Sequence, residues 1–305
     1  VNLLSENKVI FCFQVNKIMS FKNEVVCNKL SLNIGFIGGG NMSTAIIMGI
    51  LKYGKYPPSN IWVSGPHLEN LQTHKQLGAN ITSKNGEVLL NCDVVFLGVK
   101  PGVLSHAIQG CLDTLPGNVL SKNLLFVSML AGIDLENLRQ VNILLLHWIS
   151  VVRIMPNTPM AVGAGICLYS PESTVTEQQC TLLETILQPC GMCTRIPESL
   201  MVPLGALTGC GPAFMYVVIE ALADGAVKQG VPRAIAIKLA AQVLMGSGQM
   251  VSETGRHPAV LKDEVCSPGG STICGVTALE DGKIRATLIN AVEAAAIRTK
   301  EMAKK

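Results

Sequence analysis

The chain has 305 residues, 49% of them hydrophobic and 15% charged, with a formal net charge of +3. That length suits one large domain or two modest ones with a sizeable core, and the small charge, without a basic block and with few aromatics, excludes nucleic acid as a partner. Its eleven cysteines form no disulfide framework, which reads as reduced thiols in the cytoplasm or a similar compartment.

Residues 1–31 read as a disordered or artefactual leader: Val1 is an unusual start, Met19 can serve as initiator, and Glu6 and Glu24 fit a mitochondrial presequence poorly. Leu32–Ile37 then reads as a short buried strand. It enters Gly38-Gly39-Gly40-Asn41-Met42-Ser43 and a helical run over Thr44–Leu51. Strand, glycine turn and helix form the context in which a glycine fingerprint binds a dinucleotide. Gly38 makes the tight turn and Gly40 lets a pyrophosphate approach the backbone. Ser43 replaces the usual Gly or Ala but is small enough for close packing. Ile61–Val63 is the second strand, ending in Ser64-Gly65-Pro66-His67 without the Asp or Glu that holds a ribose diol. A carboxylate there would repel a ribose phosphate, so its absence favours NADPH, with NADH as the alternative. His67 either contacts that phosphate or is an exposed loop residue.

The alternation continues through a helix over Leu71–Leu77, a strand over Ala79–Thr82 and a helix from Asn85 to Asn91. Asp93–Val99 is a strand buried on both faces, and its end places Lys100 toward a cofactor cleft or in plain solvent. A helix over Val103–Cys111, a strand over Leu124–Ser128 and a helix from Asp134 follow. Val141–Val152 is the longest apolar run but contains His147 and falls short of the ~20 residues of a membrane span, so no membrane is expected. Val151–Met155 is a strand leading into Pro156-Asn157-Thr158-Pro159, a rigid loop. Asn157 there bonds either the nicotinamide amide or a neighbouring loop. Gly163–Tyr169 and Gly191–Ile196 read as late strands flanking a helix over Glu177–Leu187. Cys190 and Cys193 form a lone CxxC with no second pair for zinc, so no metal is expected. Repeated βα units give an α/β fold, a doubly wound parallel sheet.

From about Leu200 only helices remain: Leu204–Thr208, Ala213–Gln229, Arg233–Glu253 and Ile284–Lys304. Gly209–Pro212 reads as a tight turn between the first two, with Cys210 as a small packing residue. Asp224 and Lys228 stand i,i+4 as an expected pair. Gly230 and Pro232 mark a helix stop and start. These helices are apolar on more than one face, which predicts burial against a second copy, as a homodimer or larger homo-oligomer. Ser267-Pro268-Gly269-Gly270-Ser271-Thr272 then packs glycines and hydroxyls into one turn before a helix. Its bare N–H groups suit a small carboxylate, although Ser-Pro-Gly-Gly is also ordinary turn chemistry.

Several motifs stand together in order: Gly35–Met42, Val99–Pro101, Arg153–Pro159, Thr208–Phe214, Leu261–Thr272, and Leu288–Ala295 with Arg298. On these, the chain from about residue 32 onward resembles the pyrroline-5-carboxylate reductases, in their short cytosolic form. The resemblance implies a Rossmann-type NADP-binding domain over 32–199 and an all-α substrate-binding and dimerisation domain over 200–305. It implies NAD(P)H-dependent reduction of 1-pyrroline-5-carboxylate to L-proline, the last step of proline biosynthesis. Gly38, Gly39, Gly40, Asn41 and Met42 would cradle the pyrophosphate. Ser64 and Gly65 would lie near the ribose phosphate and Asn85 near the adenosine end. Gly98, Val99, Lys100, Pro101 and Ala131 would line the nicotinamide side. Ser267, Gly269, Gly270 and Ser271 would hold the substrate carboxylate, and Thr272 would bond the ring nitrogen as the catalytic residue. Glu264, in the cofactor-binding set, stands where the family often has Asn, Cys210 where it often has Ser, and Gly65 replaces a frequent Ser. Residues 141–150 do not match the family's segment before Arg153. A hydroxyacid dehydrogenase would instead use Lys228 as proton donor, but it needs an Asn turn that Gln229-Gly230 does not supply. A catalytically silent scaffold leaves the Ser267–Thr272 turn unexplained.

Overall fold

The computed structural model describes residues 32–115, 123–140 and 149–302. The leader of residues 1–31 and residues 141–148 of the unmatched segment lie outside the described residues. The fold divides into two compact units, one reaching to Gly205 and one formed by Ala206–Glu301.

The first unit is an eight-stranded sheet of order β3-β2-β1-β4-β5-β6-β7-β8. Its strands are β1 (Ile34–Ile37), β2 (Ile61–Ser64), β3 (Asn80–Thr82), β4 (Val94–Leu97), β5 (Leu124–Ser128), β6 (Ile149–Pro156), β7 (Gly165–Pro171) and β8 (Gly191–Arg195). The crossovers carry helices α1 (Asn41–Lys52), α2 (Gln72–Gln76), α3 (Asn85–Asn91), α4 (Leu104–Thr114), α5 (Leu135–Gln140) and α6 (Glu177–Leu187). Strands β1 to β6 pair in parallel. Strand β7 departs from the all-parallel expectation, running antiparallel to β6. The β6–β7 connection holds only a short 3-10 stretch, Thr158–Val162, whereas a parallel return needs a crossover of a dozen or more residues. Helix α6 provides such a crossover, and β8 is parallel to β7.

Strands buried on both faces explain the continuous apolar runs. On one face Phe36 and Phe96 stack with ring centroids 4.9 Å apart and pack with Ile46, Ile47 and Ile50 of α1 and Leu183 and Ile186 of α6. On the other, Ile37, Val95 and Phe126 pack with Val88 and Leu89 of α3 and Ile108 and Cys111 of α4. Thr176 and Gln179 close a reciprocal capping box at the start of α6.

The helical region comprises α7 (Met201–Lys228), α8 (Arg233–Thr254), α9 (Pro258–Val265), α10 (Ser271–Asp281) and α11 (Ile284–Met302). Two sequence expectations are corrected here. Gly209–Pro212 is not a turn: α7 is continuous, with Pro212 inside it. A proline removes one helical N–H and crowds the preceding turn; that turn contains Gly209 and Gly211, whose missing side chains lower the crowding. Asp224 pairs with Arg233 rather than Lys228. Gly230 does end its helix in a left-handed conformation, φ +90°, before Pro232 leads α8. The merged helix also changes the length argument, because Glu198–Lys228 and Arg233–Thr254 are each long and apolar enough, by length and composition, to cross a membrane.

Candidate active site

The end of β1 meets the end of β4 where the strand order reverses, the place at which open α/β sheets bind ligands. The Gly38 N–H donates to the Ser64 carbonyl (2.9 Å), and the Gly98 N–H to the Ile37 carbonyl (2.8 Å). Gly38 has φ +99°, and a Cβ there would stand 2.7 Å from the Gly98 oxygen. Two sequence-predicted residues are thus pressed together, and both need glycine. The Met129 N–H donates to the Leu97 carbonyl (3.1 Å), which brings the turn carrying exposed Ala131 to the same edge.

Gly40 is the N-cap of α1, with no side-chain cap. The nearest atom to a Cβ built on Gly40 is the Gly98 oxygen at 4.0 Å, so its outer face is open. The first-turn N–H groups of Asn41 and Met42 have no intrahelical acceptor. A cradle without side chains at a helix N-terminus fits a dinucleotide pyrophosphate. Beneath it, the Ser43 hydroxyl donates to the Gly38 carbonyl (2.5 Å). Ser43 is fully buried, so a residue expected only to be small also holds the turn. Sequence reading missed two more groups. The Thr44 hydroxyl donates to the Gly40 carbonyl (3.0 Å) and lies 3.1 Å from Nε2 of His74. No local signal links residues 30 apart in sequence.

In the second unit, Gly269 adopts φ +66° and the Gly270 N–H donates to the Ser267 carbonyl (3.0 Å). Gly270 is the N-cap of α10, again with no side-chain cap. Ser271 and Thr272 are its first helical residues rather than the end of the turn. Thr272 is half-buried, and its hydroxyl has no hydrogen-bond partner among the described residues. Gly269, Gly270, Ser271 and Thr272 therefore form an uncapped helix start with a hydroxyl beside it, chemistry suited to a carboxylate next to a polar reacting atom.

Residues 198–302 match the family profile described as pyrroline-5-carboxylate reductase dimerisation, and residues 33–132 the one described as NADP oxidoreductase, coenzyme F420-dependent. A pyrroline-5-carboxylate reductase 3 from Danio rerio is 44% identical over 274 residues, 90% of this chain and 92% of the relative. A pyrroline-5-carboxylate reductase from Arabidopsis thaliana is 40% identical, over 89% of this chain and 96% of its own. The chain belongs to the pyrroline-5-carboxylate reductase family. Among solved structures, a pyrroline carboxylate reductase of Plasmodium falciparum with NADP bound superposes with a TM-score of 0.77 at 30% identity, covering 90% of this chain and 99% of that one.

The remaining residues expected of a pyrroline-5-carboxylate reductase are distributed as follows. Ser64 is fully buried; its hydroxyl donates to Asn85 Oδ1 (2.7 Å), and Asn85 Nδ2 donates to the Ala107 carbonyl (3.0 Å). Gly65 N–H donates to the Thr82 carbonyl (3.1 Å). These three shape the end of β2, while exposed Pro66 and His67 continue from it. His67 Nδ1 lies 3.4 Å from the Glu69 carboxylate. Lys100 is exposed, immediately before the 3-10 turn Pro101–Val103. Asn157 is 5% exposed, and its Oδ1 accepts the Ile166 N–H of β7 (2.8 Å). Glu264 lies in the second unit on α9 and accepts both arms of the Arg256 guanidinium. That hydrogen bonding holds the Glu264 carboxyl below its ordinary range.

Proposed function

We infer that this chain reduces 1-pyrroline-5-carboxylate to L-proline with NADPH, the last step of proline biosynthesis. The observation that carries the reading is the uncapped start of α10 behind Gly269, with the half-buried Thr272 hydroxyl in its first turn. Within Ser267–Thr272 the backbone N–H groups of Gly269, Ser271 and Thr272 hold the substrate carboxylate, while that of Gly270 closes the turn onto Ser267, and Gly38–Met42 hold the cofactor pyrophosphate. When bound, NADPH supplies a hydride for the imine carbon. The ring nitrogen gains a proton and becomes a secondary amine. A cyclic imine is basic enough to be partly protonated near neutral pH, so no strong general acid is required. The Thr272 hydroxyl orients the ring by hydrogen-bonding that nitrogen. Positioning two bound partners then supplies most of the acceleration, with about 7–11 kcal/mol available in favourable cases.

The absence of a carboxylate after β2 supports NADPH over NADH. The exposed apolar faces of α7, α8 and α11 support a homodimer through the helical domain, assembled further into a larger homo-oligomer, with a second copy rather than a membrane covering them. The scattered cysteines support a cytoplasmic location.

The test is oxidation of NADPH, followed by absorbance, with pyrroline-5-carboxylate added to the purified chain. Rapid turnover is expected, and Thr272→Ala should lower it roughly 10- to 100-fold while leaving NADPH affinity unchanged. Equal turnover in the variant would remove Thr272 from its role, and tight NADPH binding without turnover would favour the silent scaffold.

A further inference from the structure

The imidazole of His74 is buried, 1% exposed, on the crossover after β2 and directly behind the glycine turn. A Cβ built on Gly39 would stand 3.0 Å from His74 Cε1 and 2.4 Å from Leu71 Cδ2, so the ring lies against the middle glycine. Its Nε2 is 3.1 Å from the Thr44 hydroxyl. With that hydroxyl donating to the Gly40 carbonyl (3.0 Å), the tautomer compatible with the contact carries its proton on Nε2. Nδ1 is buried without a hydrogen-bond partner, and burial holds the ring below its ordinary pKa, opposed in part by the Leu71 backbone. Burial thus keeps the ring neutral, and in that tautomer Nε2–H is the donor.

The Gly40 carbonyl receives two bonds from one residue, the Thr44 N–H (2.9 Å) and the Thr44 hydroxyl. A trans peptide is planar, and its C=O and N–H point in opposite directions. Fixing the Gly40 oxygen down the helix therefore fixes the Asn41 N–H outward, into the open face of the turn. Glycine at the cap imposes little restriction of its own, so an external restraint has an effect there.

We propose that His74 and Thr44 are positioning residues for the dinucleotide: the buried imidazole holds the Thr44 hydroxyl, which holds the Gly40–Asn41 peptide with its N–H aimed at the cofactor pyrophosphate. The inference rests on Gly38–Met42 being the pyrophosphate cradle.

The experiment measures NADPH dissociation constants, kcat and the KM for NADPH in the purified full chain and in Thr44→Val, His74→Leu, the double variant and His74→Gln. Thr44→Val keeps the shape and removes the hydroxyl. His74→Gln restores an N–H donor near the Nε2 position. Loss of one hydrogen bond should weaken NADPH binding roughly 3- to 10-fold in each single variant, with kcat at saturating NADPH unchanged. The double variant should bind no worse than the weaker single one, because both break a single chain of contacts, and His74→Gln should bind like the parent. Equal affinity in Thr44→Val would overturn the proposal, as would additive losses in the double variant or a His74→Gln as weak as His74→Leu. If the parent does not bind NADPH, the cradle itself is misassigned, an outcome separable from failure of the positioning role.

Discussion

The two units solve the burial problem in opposite ways. In the sheet unit, Phe36, Phe96, Phe126 and the facing isoleucines are at most 5% exposed, enclosed by helices of the same unit on both faces. In the helical unit, the buried apolar cluster consists of Ala223, Ala236 and Ala240, while Val217 (65%), Val243 (61%) and Ile289 (66%) face outward. Isolated exposed apolar residues are ordinary, but runs of them along several helices mark an interaction surface. The first unit is stabilised by its own core; the second has its large side chains arranged for contact with something else. Composition alone does not separate these cases, since both halves are rich in apolar residues.

The sharpest way to break this contrast is to charge the exposed helices. Val217→Asp or Ile289→Asp should raise the self-dissociation constant by roughly a thousandfold, because burying an unpaired carboxylate costs several kcal/mol. Light scattering should show monomer where the parent is assembled; an unchanged mass would mean these faces do not meet a second copy. Gly38→Ala comes next. It combines a disfavoured φ with a contact against the Gly98 oxygen, together about 3 kcal/mol, so NADPH binding measured by titration should weaken roughly 100-fold. Retained affinity would show that the β1–β4 junction tolerates a side chain. The Thr272→Ala effect on turnover, roughly 10- to 100-fold, tests the helical unit in the same way.

The smallest effect is a pH dependence within the sheet unit. Burial keeps the folded-state pKa of His74 below its ordinary 6.5, so the unfolded chain takes up the proton first as pH falls. The associated stability is complete above about 6.5 and is lost progressively below it. Thermal unfolding between pH 7 and 5 should therefore decline more steeply for the parent than for His74→Gln. Parallel profiles would mean that the ring's burial does not shape the acid limb.

Local chemistry explains which parts were legible in sequence. Strand β5 and helix α6 occupy the residues expected of them, because apolar runs and flanking turn residues bound them closely. The glycine turn was legible because a positive φ and an open helix cap are demands met within a few residues. Pro212 misled because a proline–glycine cluster normally ends a helix. Asp224 misled because its i,i+4 neighbour was visible in sequence, whereas Arg233 reaches it only after the chain turns at Gly230. The bond from the Ile166 N–H of β7 to Asn157 was not legible, because strand pairing and not local pattern brings it there.

The sequence by itself determined the strand–glycine–helix unit and the second glycine turn before α10, together with the family. Backbone freedom at glycine and uncapped helix starts are properties of adjacent residues. Only the tertiary structure decided what the small polar residues do. Ser43 lies against Gly98 because β4 lies beside β1, and His74 meets Thr44 because β2 lies on its other side. Those contacts depend on strand order, and a hydroxyl or imidazole acquires a role only from the group that folding places opposite it.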